Sequence, residues 1–205
     1  MRMLLSNAGK RFNREWIFRN LNYEFSAGKS YAIIGPNGSG KSTLLQTLGG
    51  SMEMSEGVIQ WHNKDLKLEG EHVHKYISIS TPSLELIEEF TVTEFLRFHS
   101  RFKPFLPGIT ISKILSIIGL EKAATKQIRY YSSGMKQRVK LAQAIFADTT
   151  LLLLDEPCTN MDAAGYELYH HLIENYCQGK TIILSSNDEN EYSFCSEVIS
   201  IMEYK

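Results

Sequence analysis

The sequence predicts an α/β fold built around a mostly parallel sheet, and three observations carry that expectation. Short apolar runs alternate with helical patterns through the C-terminal half, as GMKQRVKLAQAIF, TLLLLDE, AAGYELYHHLIENY, KTIILSS and VISIM. That rhythm of helix and buried strand is what a parallel sheet with covered faces requires. Second, SYAIIG (30–35) is short, β-branched and followed at once by glycines, so it reads as a buried strand. Third, strand-like stretches at 2–5, 16–25 and 57–61 point to a separate N-terminal sheet.

Taken in order, SYAIIG is followed by STLLQTLGG, a helix that stops at Gly49 and Gly50. KYISIS (75–80) alternates apolar and polar residues, as a half-buried strand does. The character then changes. TVTEFLRFHSRF (91–102) and ISKILSIIGL (111–120) read as helices separated by the breaker KPFLPG. In the second, Ile111, Ile114, Leu115 and Ile118 form the stripe of an amphipathic helix. The expected organisation is one domain over 1–205, with 85–130 as an inserted helical subdomain.

The bulk composition excludes several classes. Net charge is −1, from 22 basic and 23 acidic residues, so no global field favours nucleic acid or anionic lipid. Three cysteines without CxxC spacing argue for a reducing compartment and against a disulfide frame or zinc site. The N-terminal MRMLLSNAGKRF lacks the features of a signal peptide, and no apolar run reaches the roughly 18–20 residues that cross a bilayer. The six histidines show no metal-ligand spacing. His72 and His74 read as solvated, and His170 and His171 receive no role.

Gly35, Pro36, Asn37, Gly38, Ser39, Gly40, Lys41, Ser42 and Thr43 contain G-x-x-x-x-G-K-[ST] between a predicted strand and a predicted helix. Such a loop wraps its backbone N–H groups around phosphate oxygens, and the helix adds its positive end. Lys41 would reach the β- and γ-phosphates, and Ser42 would offer its hydroxyl to Mg²⁺. Downstream, the apolar strand LLLLDE ends in Asp155, at the sheet edge where open α/β folds bind ligands. Asp155 is the expected Mg²⁺ partner opposite Ser42. Glu156, one residue on, is free to polarise an attacking water. These features predict a P-loop nucleotide-binding protein that hydrolyses its ligand.

A second anion-facing pattern lies at Tyr131-Ser132-Ser133-Gly134-Met135, followed by Lys136-Gln137-Arg138. It resembles the signature motif of ABC ATPases, usually written LSGGQ, in a variant found in small bacterial exporter subunits. The resemblance runs nearly the whole chain. It implies the ABC ATPase fold: a P-loop core, an N-terminal antiparallel β subdomain and the inserted helical subdomain. It also implies that Ser132, Ser133, Gly134 and Met135 cap the γ-phosphate of ATP held by a second ABC ATPase subunit. Phe12 falls where the family stacks an aromatic on adenine, the plain alternative being a core phenylalanine. Asp162 in CTNMD matches the D-loop aspartate at the dimer seam. The implied partners are ATP with Mg²⁺, a second like or unlike subunit, and transmembrane permease subunits, with no nucleic acid. The implied location is cytoplasmic, peripheral on the inner face of the membrane, with export as the direction.

Two departures from the family stand out. No glutamine lies between Ser78 and Glu94, where relatives place one that reaches Mg²⁺ and the attacking water; Ser80, Thr81 or Ser83 could offer a hydroxyl instead. The strand TIILSS leads to Asn187 where relatives carry a histidine. An amide can donate a hydrogen bond but lacks a histidine's charge and cannot relay a proton. Slow hydrolysis is therefore expected, or a role as the weaker half of an asymmetric pair. An AAA+ mechanoenzyme would suit Asn187 but not YSSGMKQR. A GTPase is disfavoured because Asn63-Lys64-Asp65-Leu66 misses the spacing for guanine recognition.

Overall fold

A computed structural model describes residues 1–64 and 66–205; Asp65, part of the stretch weighed against guanine recognition, lies outside the described residues. The chain forms two compact units. The first comprises Met1–Ile79, Thr150–Asp155 and Gly179–Lys205, and the second Ser80–Thr149 and Glu156–Gln178.

The first unit holds two sheets. β1 (Arg2–Phe12) and β2 (Glu15–Phe25) form a long hairpin. β3 (Ser30–Ile34) leads through the glycine loop into α1 (Lys41–Leu48). β4 (Glu56–Asn63) and β5 (Leu66–Leu68) return to the hairpin, giving an antiparallel sheet of order β2-β1-β4-β5. β6 (Ile77–Ser80), β7 (Leu151–Asp155), β8 (Thr181–Ser185) and β9 (Glu197–Ser200) join β3 in a second sheet of order β6-β7-β8-β3-β9. The β7–β8, β8–β3 and β3–β9 pairs are parallel. Every residue of β7 and β8 is buried, which is why these strands read as unbroken apolar runs rather than alternating ones. Leu44, Leu45 and Leu48 of α1 pack with Leu151, Leu153, Ile183 and Ile33 in one core. α1 ends as its glycines predict, with Gly49 N–H donating to Leu45 O and Gly50 N–H to Thr47 O.

Two expectations about strands are corrected. β1 continues to Phe12 rather than ending at residue 5, because bulges at residues 5–11 keep SNAGKRF paired despite its polarity. KYISIS begins its strand only at Ile77, since Lys75 and Tyr76 belong to a 3₁₀ turn over Gly70–Tyr76. Ser78 and Ser80 are as buried as Ile77, so the alternation does not mark a solvated face.

The second unit is helical. α2 (Val92–His99) opens with a capping box: Thr91 N–H donates to Glu94 Oε2 at 2.8 Å, and Glu94 N–H to Thr91 Oγ1 at 3.2 Å. α3 (Ile111–Ile117) buries Ile114, Leu115 and Ile118, with Ile111 half-buried, and so follows the predicted stripe. α4 (Ser133–Ile145) packs against α2 and against α5 (Ala163–Tyr176). One short helix remains, α6 (Glu189–Tyr192), in the first unit. The second unit is wider than the stretch 85–130, because α4 and α5 belong to it. Among the described residues, no helix is long and apolar enough to cross a membrane.

Candidate nucleotide site

The glycine loop is shaped by what surrounds it. Ser39 N–H closes a turn on Pro36 O at 3.0 Å, and Leu44 N–H starts the helix on Gly40 O at 2.9 Å. Gly40 has φ +99°, and a Cβ there would lie 2.1 Å from Ile17 Cγ2. At Gly35, with φ +151°, a Cβ would meet Ile201 Cγ2 at 2.7 Å and Ser39 Oγ at 2.8 Å. Both positions exclude a side chain, so Ile17 and Ile201 brace the loop from outside the motif.

The loop is a ready anion site. α1 has no side-chain cap and no acidic residue in its first turn. The other α-helices among the described residues are capped by Thr91, Thr110, Ser132, Asp162 and Asp188. The first N–H groups of α1 are therefore left to an incoming ligand. Lys41 is buried, and its ammonium donates to Gly35 O at 2.7 Å and Pro36 O at 3.4 Å. Among the described residues it meets no carboxylate, so phosphate would supply the missing counter-charge. Ser42 is exposed beside it.

Strand register assembles the rest. Asp155 is paired with Ser185 across β7–β8, and Ser185 with Ile33 across β8–β3. The Ser185 hydroxyl donates to Asp155 Oδ1, orienting a carboxylate that is itself buried. Two residues beyond each of Ile33 and Ser185, Gly35 and Asn187 meet: Gly35 N–H donates to Asn187 Oδ1 at 3.3 Å. Asn187 Nδ2 donates to Asn37 Oδ1 at 3.2 Å. Asn187 thus stands against the phosphate loop, in the first unit with Lys41, Ser42 and Asp155. Phe12 sits at the tip of the β1–β2 hairpin, 47% exposed, with Lys10 Nζ 5.2 Å from its ring centroid. The core-phenylalanine reading of Phe12 is excluded.

The second unit carries the other predicted residues. Ser132 Oγ accepts from Met135 N–H at 3.2 Å and caps α4. Ser132, Ser133, Gly134 and Met135 line a cleft of about 490 Å³ together with Asn160 and Asp162. Asp162 Oδ1 accepts from Gly165 N–H at 2.9 Å, capping α5. Glu156 turns the chain with φ +43°, and its carbonyl accepts from Thr159 Oγ1 at 2.9 Å.

At the end of β6 and in the stretch after it, where the sequence offers no glutamine, the three hydroxyls behave differently. Thr81 Oγ1 and Ser83 Oγ bond each other at 3.1 Å, whereas Ser80 Oγ is fully buried with no partner. The residue that sequence reasoning missed is Lys140, whose ammonium donates to Pro82 O at 2.6 Å. Its only signal was a second lysine one helical turn after Lys136. The thiols offer no reactive group: Cys158 and Cys177 are buried, and burial pushes Cys195 up to about 12.

A parallel sheet presenting a glycine loop at its strand ends, beside an antiparallel sheet, with a helical unit bearing its own serine-glycine helix start, defines an ATP-binding cassette. The family model described as "ABC transporter" matches residues 18–159, and the chain belongs to that family as an ATP-binding subunit. The uncharacterised ABC transporter ATP-binding protein YybJ of Bacillus subtilis is 32% identical over 192 residues, covering 90% of this chain and 85% of its own length. The lantibiotic transport ATP-binding protein SrtF of Streptococcus pyogenes is 29% identical over 209 residues, covering 97% and 85%. The ATP-binding cassette MJ0796, solved as a dimer bound to ADP and Pi, shares the fold with a TM-score of 0.81 at 24% identity, covering 97% and 93%. Family membership sets aside the AAA+ reading.

Proposed function

We propose that the chain binds ATP at the Gly35–Thr43 loop and hydrolyses it in a two-copy sandwich, to drive export through separate transmembrane subunits. The observation that carries this reading is the uncapped start of α1 with a buried, carboxylate-free Lys41. Phe12 would stack on adenine. The loop N–H groups and Lys41 would hold the phosphates.

Ser42 and the oriented Asp155 suit Mg²⁺, a hard cation that takes one or two carboxylates plus nucleotide phosphates. When bound, the ion would neutralise phosphate charge. Glu156 would take the proton of the attacking water. Ser132, Ser133, Gly134 and Met135 would meet the γ-phosphate held by the other copy, with Asp162 at the seam. Phe98 and Phe102, 41% and 71% exposed on the helical unit, offer apolar surface for a membrane subunit. Export is supported by a further relative, the Nod factor export ATP-binding protein I of Burkholderia lata, 28% identical over 201 residues and covering 96% of this chain and 66% of its own length.

The test is the solution mass of Glu156→Gln with and without ATP and Mg²⁺. The expected result is a monomer that dimerises with ATP. Adding Ser133→Phe, which leaves the Ser132 cap intact, should return it to monomer. A protein that binds ATP yet stays monomeric would favour the second reading, in which Asn187 marks the weaker half of an unlike pair.

A further inference from the structure

The loop after β6 is irregular, so its carbonyls must find donors elsewhere or be left to water. α4 supplies them. Lys140 Nζ donates to Pro82 O at 2.6 Å and reaches Thr81 O at 3.5 Å. One turn earlier Lys136 pairs with Glu88, so two lysines on one face of α4 hold both ends of the stretch 81–88. Between them Gln137 Nε2 donates to Pro157 O at 2.6 Å, tying the segment that leads to Asp162 to the same helix. The stretch 82–89 and this face of α4 line a cleft of about 700 Å³.

We propose that Lys140 is a positioning residue: it latches loop 81–84 to α4, so that the loop and the Ser132–Met135 end of that helix move as one body. The proposal rests on the reading of that helix end as the surface that meets ATP held by a second copy. No hydroxyl of the loop performs this task, because Thr81 and Ser83 are spent on each other and Ser80 is unpartnered. The ammonium is drawn out of full solvation to make the contact, and burial and the neighbouring Lys136 cation both lower its pKa. A lysine stem free to extend into water would accept neither penalty without the two carbonyls. Lys136 cannot replace it, since Lys136 is engaged by Glu88 at the far end of the stretch.

The experiment compares the unsubstituted chain with Lys140→Met, which keeps the stem and removes the donor, and Lys140→Arg, which restores one. Turnover and nucleotide affinity are measured for all three, together with hydrogen exchange at the Leu84 amide, which closes a turn on Thr81 O. In Lys140→Met, kcat should fall about tenfold with KM within twofold, and Leu84 should exchange at least tenfold faster. Lys140→Arg should recover most of both. Unchanged exchange in Lys140→Met, or a kcat that Lys140→Arg leaves as low as Lys140→Met, would overturn the latch. If the wild type hydrolyses no ATP, the hydrolytic reading fails, and the exchange rates alone then judge the latch.

Discussion

Asn187 and Asn37 are joined side chain to side chain, Nδ2 to Oδ1 at 3.2 Å, while the Asn187 Oδ1 accepts from the Gly35 amide. This asparagine is thus bound into the phosphate loop at two points. A γ-phosphate arriving there would compete with Asn37 for the amide donor. The Asn187 side chain can offer phosphate only a neutral hydrogen bond, and charge-assisted bonds are about twice as strong.

Asn187→His should therefore raise turnover. Removing a donor to developing negative charge costs roughly 10²–10³ in rate, and an amide retains part of that, so a gain of about tenfold is expected. Steady-state kcat on ATP is the measurement. An unchanged kcat would mean that Asn187 does not face the γ-phosphate.

Gly40→Ala should weaken nucleotide binding without unfolding the helical unit. The added Cβ would overlap Ile17 Cγ2, and φ +99° strains any other residue. Titration of a fluorescent ATP analogue should show affinity lowered at least tenfold. Retained affinity would show that β2 yields to the methyl group.

Thr91→Ala removes the side-chain half of the α2 capping box, the Thr91 Oγ1 that accepts from Glu94 N–H, and leaves the backbone N–H of residue 91 donating to Glu94. Such a cap contributes about 1 kcal/mol, and Tm should drop by about 2–4 °C in a chain of this size. Amide exchange should accelerate at residues 93–95 first. Unaltered exchange there would mean Glu94 alone holds the helix start.

His99 lies between Phe95 and Phe105, with ring centroids 6.4 and 6.2 Å away. Burial, then the Lys103 cation, lower its pKa, against an opposing hydrogen bond with the Gln143 backbone. The unfolded histidine titrates near 6.5, so below that pH the unfolded chain binds a proton that the native site refuses. This contribution to stability is complete above pH ~6.5 and is lost as pH falls towards the lowered native value. Tm should decline from pH 7.5 to 5.5, and His99→Phe should flatten part of the decline. An identical slope in that variant would assign the effect to another group.

The phosphate loop, the LLLLDE strand and the serine-glycine helix start were legible because each is a local pattern. A helix cap, a glycine turn and a buried strand are specified by neighbours in the chain. The departures at Asn187 and at the absent glutamine were legible for the same reason. The contacts made at these positions were not. That Asn187 reaches both Gly35 and Asn37 follows from the Ile33–Ser185 register, and pairing register depends on residues some 150 positions apart.

Fold class, the order of the elements and the residue types available for phosphate are all written in the order of the amino acids. It took packing between distant elements to close the space around Gly40 and Gly35 with Ile17 and Ile201, to orient Asp155 with Ser185, and to bring Lys140 to Pro82. Local patterns are set by the backbone preferences and solvation of consecutive residues. These contacts arise only when distant strands and helices pack, and a single chain read in order carries no mark of which distant side chain will arrive.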